Sequence, residues 1–353
     1  MDNLNFIHGG NVKEVERIYN RKIIDFSSNI NFAFSPEFIT ETIKENLESI
    51  LSYPEIYSHT LKEKASKCLS IRPENILFGN GASELIYIIL NSLSPERVTI
   101  PIPTFTEYER ASRNLGIKVR YLKLEEETFQ LPPFKKRDFL FISNPNNPTG
   151  NLLFQDFHQL LKLLSFSFLV VDESFIDFTE DKDKITLLHK APESENILVL
   201  KSMTKFFRVP GLRLGYVVGN ESVINRLKKS LPPWSVNAFA QIVGKRLFEF
   251  KNIKGVRKKI EDEKRFVFSE LTKIKTLKIY PSVTNFFLIK ILTPHTAATV
   301  QKELLKKGIL IRSCSNIPSL GEKFIRITVL DHDKNLLLLK SLRELLGEKD
   351  AQK

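Results

Sequence analysis

The sequence predicts an α/β protein: a large three-layer domain on a mostly parallel sheet, plus a smaller α+β C-terminal domain. Three observations carry this. Short apolar runs alternate with helical patterns from about residue 75 to residue 219. Most of those runs are continuously apolar, as parallel strands buried on both faces are. After residue 235 the alternation gives way to a long helical pattern and a few further strands. The expected organisation is an N-terminal arm over 1–35, a large domain over 36–235 and a small domain over 236–353.

Taken in order, "NILFG", "RVTIP", "KVRYLKL", "DFLFIS", "SFLVVDE", "NILVLKS" and "LGYVVG" read as strands. Between them, "ASELIYIILNSL" and "FQDFHQLLKLL" place apolar residues at helical spacing and read as crossover helices. Beyond "LPPWSVNAFAQ" one long helix is expected through about Leu271. Strands follow near "KIYPSVTNFFLIKI" and "KFIRITVL". Internal repeats and low-complexity linkers are absent from the sequence.

Composition narrows the function classes. The chain has 353 residues, 42% hydrophobic and 27% charged, the balance of a globular protein. No apolar run approaches the roughly 20 residues that span a bilayer. "MDNLNFIHGG" lacks a basic segment followed by an apolar one, so it does not read as a secretory signal. Cys68 and Cys314 are far apart and form no metal or disulfide framework. A cytoplasmic location is therefore expected. The net charge of +12 raises the question of nucleic-acid binding. Acids are interleaved with the bases, as in "KKIEDEKR", and no aromatic platforms accompany them. A field attractive to anionic small molecules is expected instead, with neither nucleic acid nor membrane as partner.

Ligands of open parallel sheets sit beyond the carboxyl ends of the strands. Five polar or glycine-bearing stretches fall there: "GNGASEL", "PTFTEY", "NPNNPTG", "DESF" and "SMTK". The first turns from strand to helix, where the N–H groups of Ala82 and Ser83 can hold a phosphate. Taken alone, an ordinary turn capped by Ser83 explains it better. The three asparagines of "NPNNPTG" exceed what turn chemistry needs, and one is a candidate donor to a ligand. Asp172 ends a buried strand, where a carboxylate requires a cation or a strong donor. Lys201, Lys205, Arg208 and Arg213 crowd one mostly apolar stretch. Arg213, in "GLRLGY", lies among apolar residues where an anionic ligand would satisfy its guanidinium.

The order of "GASE", "NPNNPTG", "DESF", "SMTK" and "GLRLGY" resembles the fold-type-I, class I/II aminotransferases that use pyridoxal 5'-phosphate (PLP). The resemblance spans nearly the whole chain. It implies that Lys205 binds the cofactor aldehyde covalently, that Lys201, in the apolar strand before the loop, snorkels or pairs elsewhere, and that Asp172 keeps the pyridine nitrogen protonated. It implies further that Ala82, Ser83, Ser202 and Arg213 hold the cofactor phosphate. Phe105 would stack on the ring and Asn147 would bond the ring hydroxyl. Tyr53, in "YPEIY", would reach the phosphate from a partner subunit, which implies a homodimer. Many relatives carry tyrosine where this chain has Phe175, so Asn147 is left as the donor to the ring hydroxyl.

"HGGN", "DFSSNIN", "PPWSVNAFAQ" and "GILIRSCSN" narrow the resemblance. They point to the branch that holds L-threonine-O-3-phosphate decarboxylase and histidinol-phosphate aminotransferase. A phosphorylated, amino-acid-type substrate is implied, met by His8, Asn11, Asn29, Arg312 and Arg326. Decarboxylation is the first reading and transamination the second. A non-catalytic PLP-binding regulator is a remote third, disfavoured by the intact Lys205 and Asp172 and by a chain that begins directly with the arm. Relatives commonly continue "NIN" with Pro-Leu-Gly-Pro, whereas this chain reads "FAFSP" from Phe32 to Pro36.

Overall fold

The computed structural model describes residues 9–35 and 37–347. The helices are α1 (Val12–Tyr19), α2 (Glu37–Lys44), α3 (His59–Leu69), α4 (Gly81–Leu93), α5 (Glu107–Asn114) and α6 (Phe157–Leu163). They continue as α7 (Lys182–Ile185), α8 (Glu221–Lys228), α9 (Ala238–Phe248), α10 (Ile253–Thr272), α11 (Ala297–Lys306) and α12 (His332–Leu346). The strands are β1 (Ile24–Asp25), β2 (Ile76–Gly79), β3 (Arg97–Ile102), β4 (Lys118–Lys123), β5 (Phe134–Ser143), β6 (Leu164–Asp172) and β7 (Ile197–Ser202). After these come β8 (Gly215–Val218), β9 (Leu277–Ile279), β10 (Phe286–Ile291), β11 (Ile309–Leu310), β12 (Arg312–Ser313) and β13 (Phe324–Thr328).

The chain divides into two compact units. The larger comprises residues 34–146 and 152–254. The smaller comprises the described residues up to Ala33, residues 147–151 and the described residues from Gly255 onward.

The larger unit holds one seven-stranded sheet in the order β2-β8-β7-β6-β5-β3-β4. Strands β3 to β7 pair in parallel, and β8 runs antiparallel to both of its neighbours. All seven runs read as strands from the sequence enter this sheet. Every residue of β2, β7 and β8 is buried, which is why those sequences are apolar without alternation. On one face Leu85 and Ile89 of α4, Ala111 of α5 and Ile224 of α8 pack with Leu77, Val98, Phe141, Val170 and Leu200. On the other, Phe78 and Tyr216 meet the Phe248 ring of α9 at 6.1 and 5.8 Å.

The single long helix expected after residue 241 is two helices, α9 and α10, separated by residues 249–252. Phe250 falls in the break, with its ring 4.9 Å from Phe34 and 6.1 Å from Phe38. Tertiary packing of one aromatic overrides a helical periodicity that continues through it.

The smaller unit has an antiparallel sheet in the order β12-β13-β10-β9 and a short parallel pair of β1 with β11. Phe287 and Ile289 of β10, with Ile325 and Ile327 of β13, pack against Leu271 of α10, Leu304 of α11 and Leu342 of α12. Among the described residues no helix is long and apolar enough to cross a membrane.

Candidate active site

Asp172 closes β6, the middle strand of the seven. It is buried, and each of its carboxylate oxygens has a donor. The Tyr108 hydroxyl donates to Oδ2 at 2.7 Å and the Ser174 backbone N–H donates to Oδ1 at 2.8 Å. Burial pushes the Asp172 carboxyl upward, and these hydrogen bonds and the Lys201 charge pull against that rise.

Ser202 closes β7 and pairs in register with Gly215 at the start of β8. A Cβ on Gly215 would stand 2.7 Å from the Ala82 nitrogen, so that glycine admits the first turn of α4. Gly81, with φ +81°, would place a Cβ 2.6 Å from Arg213 Nη2. These two close approaches bring Ala82, Ser83, Ser202 and Arg213 together. No side chain caps α4. The Asn80 N–H is taken by Glu84 Oε2 at 2.7 Å. Ala82 and Ser83, in the first turn, have no intrahelical acceptor for their N–H groups. Ser83 lies inside that turn, so it does not cap the helix. Among the described residues Arg213 makes no hydrogen bond or ion pair. A guanidinium against the positive end of a helix is a site for an anion, and a phosphate monoester fits it.

Lys205 lies in the turn after β7 and is half-buried. Lys201, inside β7, is buried and its ammonium sits 3.1 Å from Asp177 Oδ2. Asp177 also pairs with Lys182 at 3.1 Å. Burial opposes ionisation of Asp177, but the Lys201 and Lys182 charges override it and hold this carboxyl far below its ordinary range. The two lysines of the stretch therefore have different surroundings, and Lys201 pairs elsewhere as the resemblance implies. Glu173, next to Asp172, is buried and turned to Thr186 Oγ1 at 2.6 Å and the Leu187 N–H at 2.7 Å. Phe175 is buried, its ring 6.1 Å from Phe178. Phe105 is half-buried and meets Tyr108 edge-on at 5.6 Å. Tyr53 is 81% exposed and lies against Trp234 at 4.7 Å.

The three asparagines of "NPNNPTG" divide their work. Asn144 spans the turn, donating to the Phe154 carbonyl at 3.0 Å and accepting from the Leu153 N–H at 2.8 Å. Asn146 accepts from Thr104 at 2.7 Å and donates to the Pro103 carbonyl at 2.9 Å. Asn147 belongs to the smaller unit, where its Oδ1 accepts from Arg326 Nη1. That contact identifies the amide oxygen and leaves Nδ2, without a partner among the described residues, as the donor on offer.

In the smaller unit Arg326 of β13 stands opposite Arg312 of β12, and both are buried. Arg326 Nη2 donates to the Ser27 carbonyl at 2.6 Å, its guanidinium lies 5.3 Å from the Phe286 ring, and its Nε has no partner. Among the described residues no carboxylate pairs with Arg326. Burial lowers its pKa to about 10, with Cys314 and Asp25 opposing and Arg312 reinforcing the fall. Arg312 Nη2 donates to Asn316 Oδ1 at 2.6 Å, and burial lowers its pKa too. Asn29, also buried, accepts from the Thr328 hydroxyl at 2.9 Å through Oδ1. Asn11 is half-buried at the start of α1. His8 lies outside the described residues.

Sequence reasoning passed over Tyr108. It sits three residues after Phe105 in the same "PTFTEY" stretch, and its phenol is the group that meets Asp172.

A profile of the class I and II aminotransferases matches residues 21–342. The chain is 39% identical over 353 residues to a protein of Caldanaerobacter subterraneus subsp. tengcongensis that is named provisionally as a threonine-phosphate decarboxylase, covering 97% of this chain and 94% of that one. It is 30% identical over 364 residues to the histidinol-phosphate aminotransferase of Methanocaldococcus jannaschii, covering 97% and 95%. The crystal structure of L-threonine-O-3-phosphate decarboxylase from Porphyromonas gingivalis superposes with a TM-score of 0.79 at 28% identity, over 92% of this chain and 99% of that one. With this fold and these matches, the chain belongs to the PLP-dependent class I and II aminotransferase family.

Proposed function

We propose that this protein is a PLP-dependent enzyme acting on a phosphorylated amino-acid-type substrate, with decarboxylation of L-threonine O-3-phosphate as its reaction. The carrying observation is the buried arginine pair. Arg312 and Arg326 face each other across two strands, and among the described residues Arg326 is held only by neutral oxygens and an aromatic face. Two guanidiniums so placed suit a substrate that carries a phosphate and a carboxylate. The relatives named for threonine phosphate support this reading.

PLP, when bound, supplies a sink for the electron pair left when a bond to the substrate α-carbon breaks. The residues of the chain supply the rest. Ala82, Ser83, Ser202 and Arg213 would hold the cofactor phosphate, Lys205 would anchor the aldehyde, Asp172 would pair with the pyridine nitrogen, Phe105 would stack on the ring and Asn147 would donate to the ring hydroxyl. Asn11 and Asn29, with His8, complete the substrate contacts. Which α-carbon bond breaks depends on where the anchors hold the substrate. An arginine that gripped the substrate phosphate would leave the carboxylate unpaired and free to depart as CO₂. An arginine paired with the carboxylate would retain that group and leave the α-proton as the one removed.

Transamination of histidinol phosphate is the second reading, supported by the relative of that name. Incubation with PLP and either threonine phosphate, or histidinol phosphate plus 2-oxoglutarate, separates the two. Evolved CO₂ is the expected result, and glutamate formed without CO₂ would overturn it. Arg326→Lys should lower kcat/KM for the phosphorylated substrate by about 10²-fold, because an ammonium cannot reproduce the planar fork. Unchanged kinetics would remove Arg326 from the site.

The working form is a homodimer in the cytoplasm. Leu51 is 84% exposed beside the exposed Ile50 and Tyr53, an apolar surface that a second copy would cover while bringing Tyr53 to the partner's cofactor. Leu51→Glu should halve the mass seen in sedimentation. A variant that stays dimeric would put the interface elsewhere.

A further inference from the structure

We propose that Tyr108 is a positioning residue: it holds the Asp172 carboxylate ionised and in one orientation for the pyridine nitrogen of the cofactor. This rests on the reading of Asp172 as the partner of that nitrogen. A carboxylate in a dry site keeps its charge only where strong donors replace water. Tyr108 supplies one from a fixed position. Its ring is stacked on Phe141, with centroids 4.3 Å apart and planes 21° apart, and it meets Phe105 edge-on. Tyr108 is 1% exposed. With Ser174 holding Oδ1 and Tyr108 holding Oδ2, rotation of this buried carboxylate would break a hydrogen bond.

Other charged groups near Asp172 are committed. Glu173 is bound by Thr186 and the Leu187 N–H. Lys201, on the neighbouring strand, is tied to Asp177, which is also held by Lys182. Lys201 therefore acts on Asp172 through space, whereas Tyr108 touches it. Burial and the neighbouring Asp172 charge push the Tyr108 phenol well above its ordinary range, so it remains a donor throughout the working range of pH. An aromatic placed solely to fill the core would need only its ring.

The sign of the effect follows from linkage. Burial raises the Asp172 pKa and the Tyr108 hydrogen bond lowers it. Removing the hydroxyl raises that pKa, so the carboxylate takes up its proton at a higher pH than in the wild type. Attraction for a protonated pyridine nitrogen, present above the Asp172 pKa and lost as pH falls through it, then fails earlier on the way down.

The test is titration of the apo-protein with pyridoxamine 5'-phosphate, which lacks the aldehyde and so reports affinity without attachment to Lys205. Dissociation constants are measured from pH 5 to pH 9 for the wild type, Tyr108→Phe and Asp172→Asn. Tyr108→Phe is expected to match the wild type at the alkaline end and to bind about tenfold more weakly at the acid end, with its midpoint displaced upward. Asp172→Asn is expected to lose the acid limb that depends on this carboxylate. If Asp172→Asn loses that limb while Tyr108→Phe retains the wild-type midpoint, Tyr108 is a core aromatic and the proposal falls. Uniform weakening of Tyr108→Phe at every pH, without a displaced midpoint, overturns it as well. If Asp172→Asn keeps the wild-type profile, the underlying assignment of Asp172 fails instead.

Discussion

Replacing Lys205 with alanine is expected to remove the visible absorbance of the protein-bound cofactor and to lower turnover by about 10⁴-fold or more. The expectation rests on the contrast between two lysines four positions apart. Covalent attachment needs an amine free to reach the cofactor aldehyde. Lys201 is engaged elsewhere, its ammonium buried inside β7 and paired with Asp177 at 3.1 Å. Lys205 lies in the turn that follows Ser202, and Arg213 is the cation on the far side of the same loop. The control is Lys201→Ala, which should retain the absorbance. Borohydride reduction followed by peptide mapping gives an independent readout. Label on Lys201 would reverse the assignment of the whole loop.

Asp172→Asn should retain the cofactor through the phosphate cradle yet lose turnover by about 10²–10³-fold. The amide is close to the carboxylate in size; its one oxygen can still accept from the Ser174 N–H, while its NH₂ takes the place of the oxygen that met Tyr108 and can only donate to the phenol oxygen. It carries no charge to hold a proton on the pyridine nitrogen, so the ring withdraws electrons less strongly. Cofactor content by absorbance and turnover by CO₂ release separate the two effects. Turnover near that of the wild type would sink the electron-sink role. Loss of the cofactor together with turnover would show that the phosphate cradle alone does not retain it, and turnover would then report binding as well as the electronics of the ring.

The strands were legible because burial on both faces leaves a plain signature. β2, β7 and β8 are apolar at nearly every position, whereas the edge strand β4 carries Lys118, Arg120 and Lys123 and has no buried residue. Polar residues that end buried strands were legible for the related reason that such groups demand a partner. Asp172 and Ser202 announce themselves where β6 and β7 stop. The break at Phe250 left no mark, because helical spacing continues across it and the aromatic contacts that open it come from Phe34 and Phe38, over 200 positions earlier. The pairing of Ile24 with Ile309 was hidden in the same way, since two-residue strands carry no periodicity.

Within the site, legibility followed charge. Arg213 reads as a ligand group from its apolar neighbours alone. Tyr108 does not, because a tyrosine three positions after a phenylalanine reads as one more core aromatic. Its partner is 64 positions away, at the end of β6. The division of labour among Asn144, Asn146 and Asn147 was equally closed to sequence, for identical side chains differ only in what the fold sets beside them.

Arg213, lying against the start of α4 without a protein partner among the described residues, is expected to make the heat resistance of this chain depend on its buffer. An anion that binds the folded chain and not the unfolded one adds stability by mass action, about 2.7 kcal/mol at a hundred times its dissociation constant. Inorganic phosphate carries the same oxygens as the cofactor's phosphoryl group and competes for the same donors. A melting temperature taken in phosphate and one taken in a buffer of monovalent ions therefore describe two different equilibria. Variants of the cradle can be ranked for intrinsic stability only in the second.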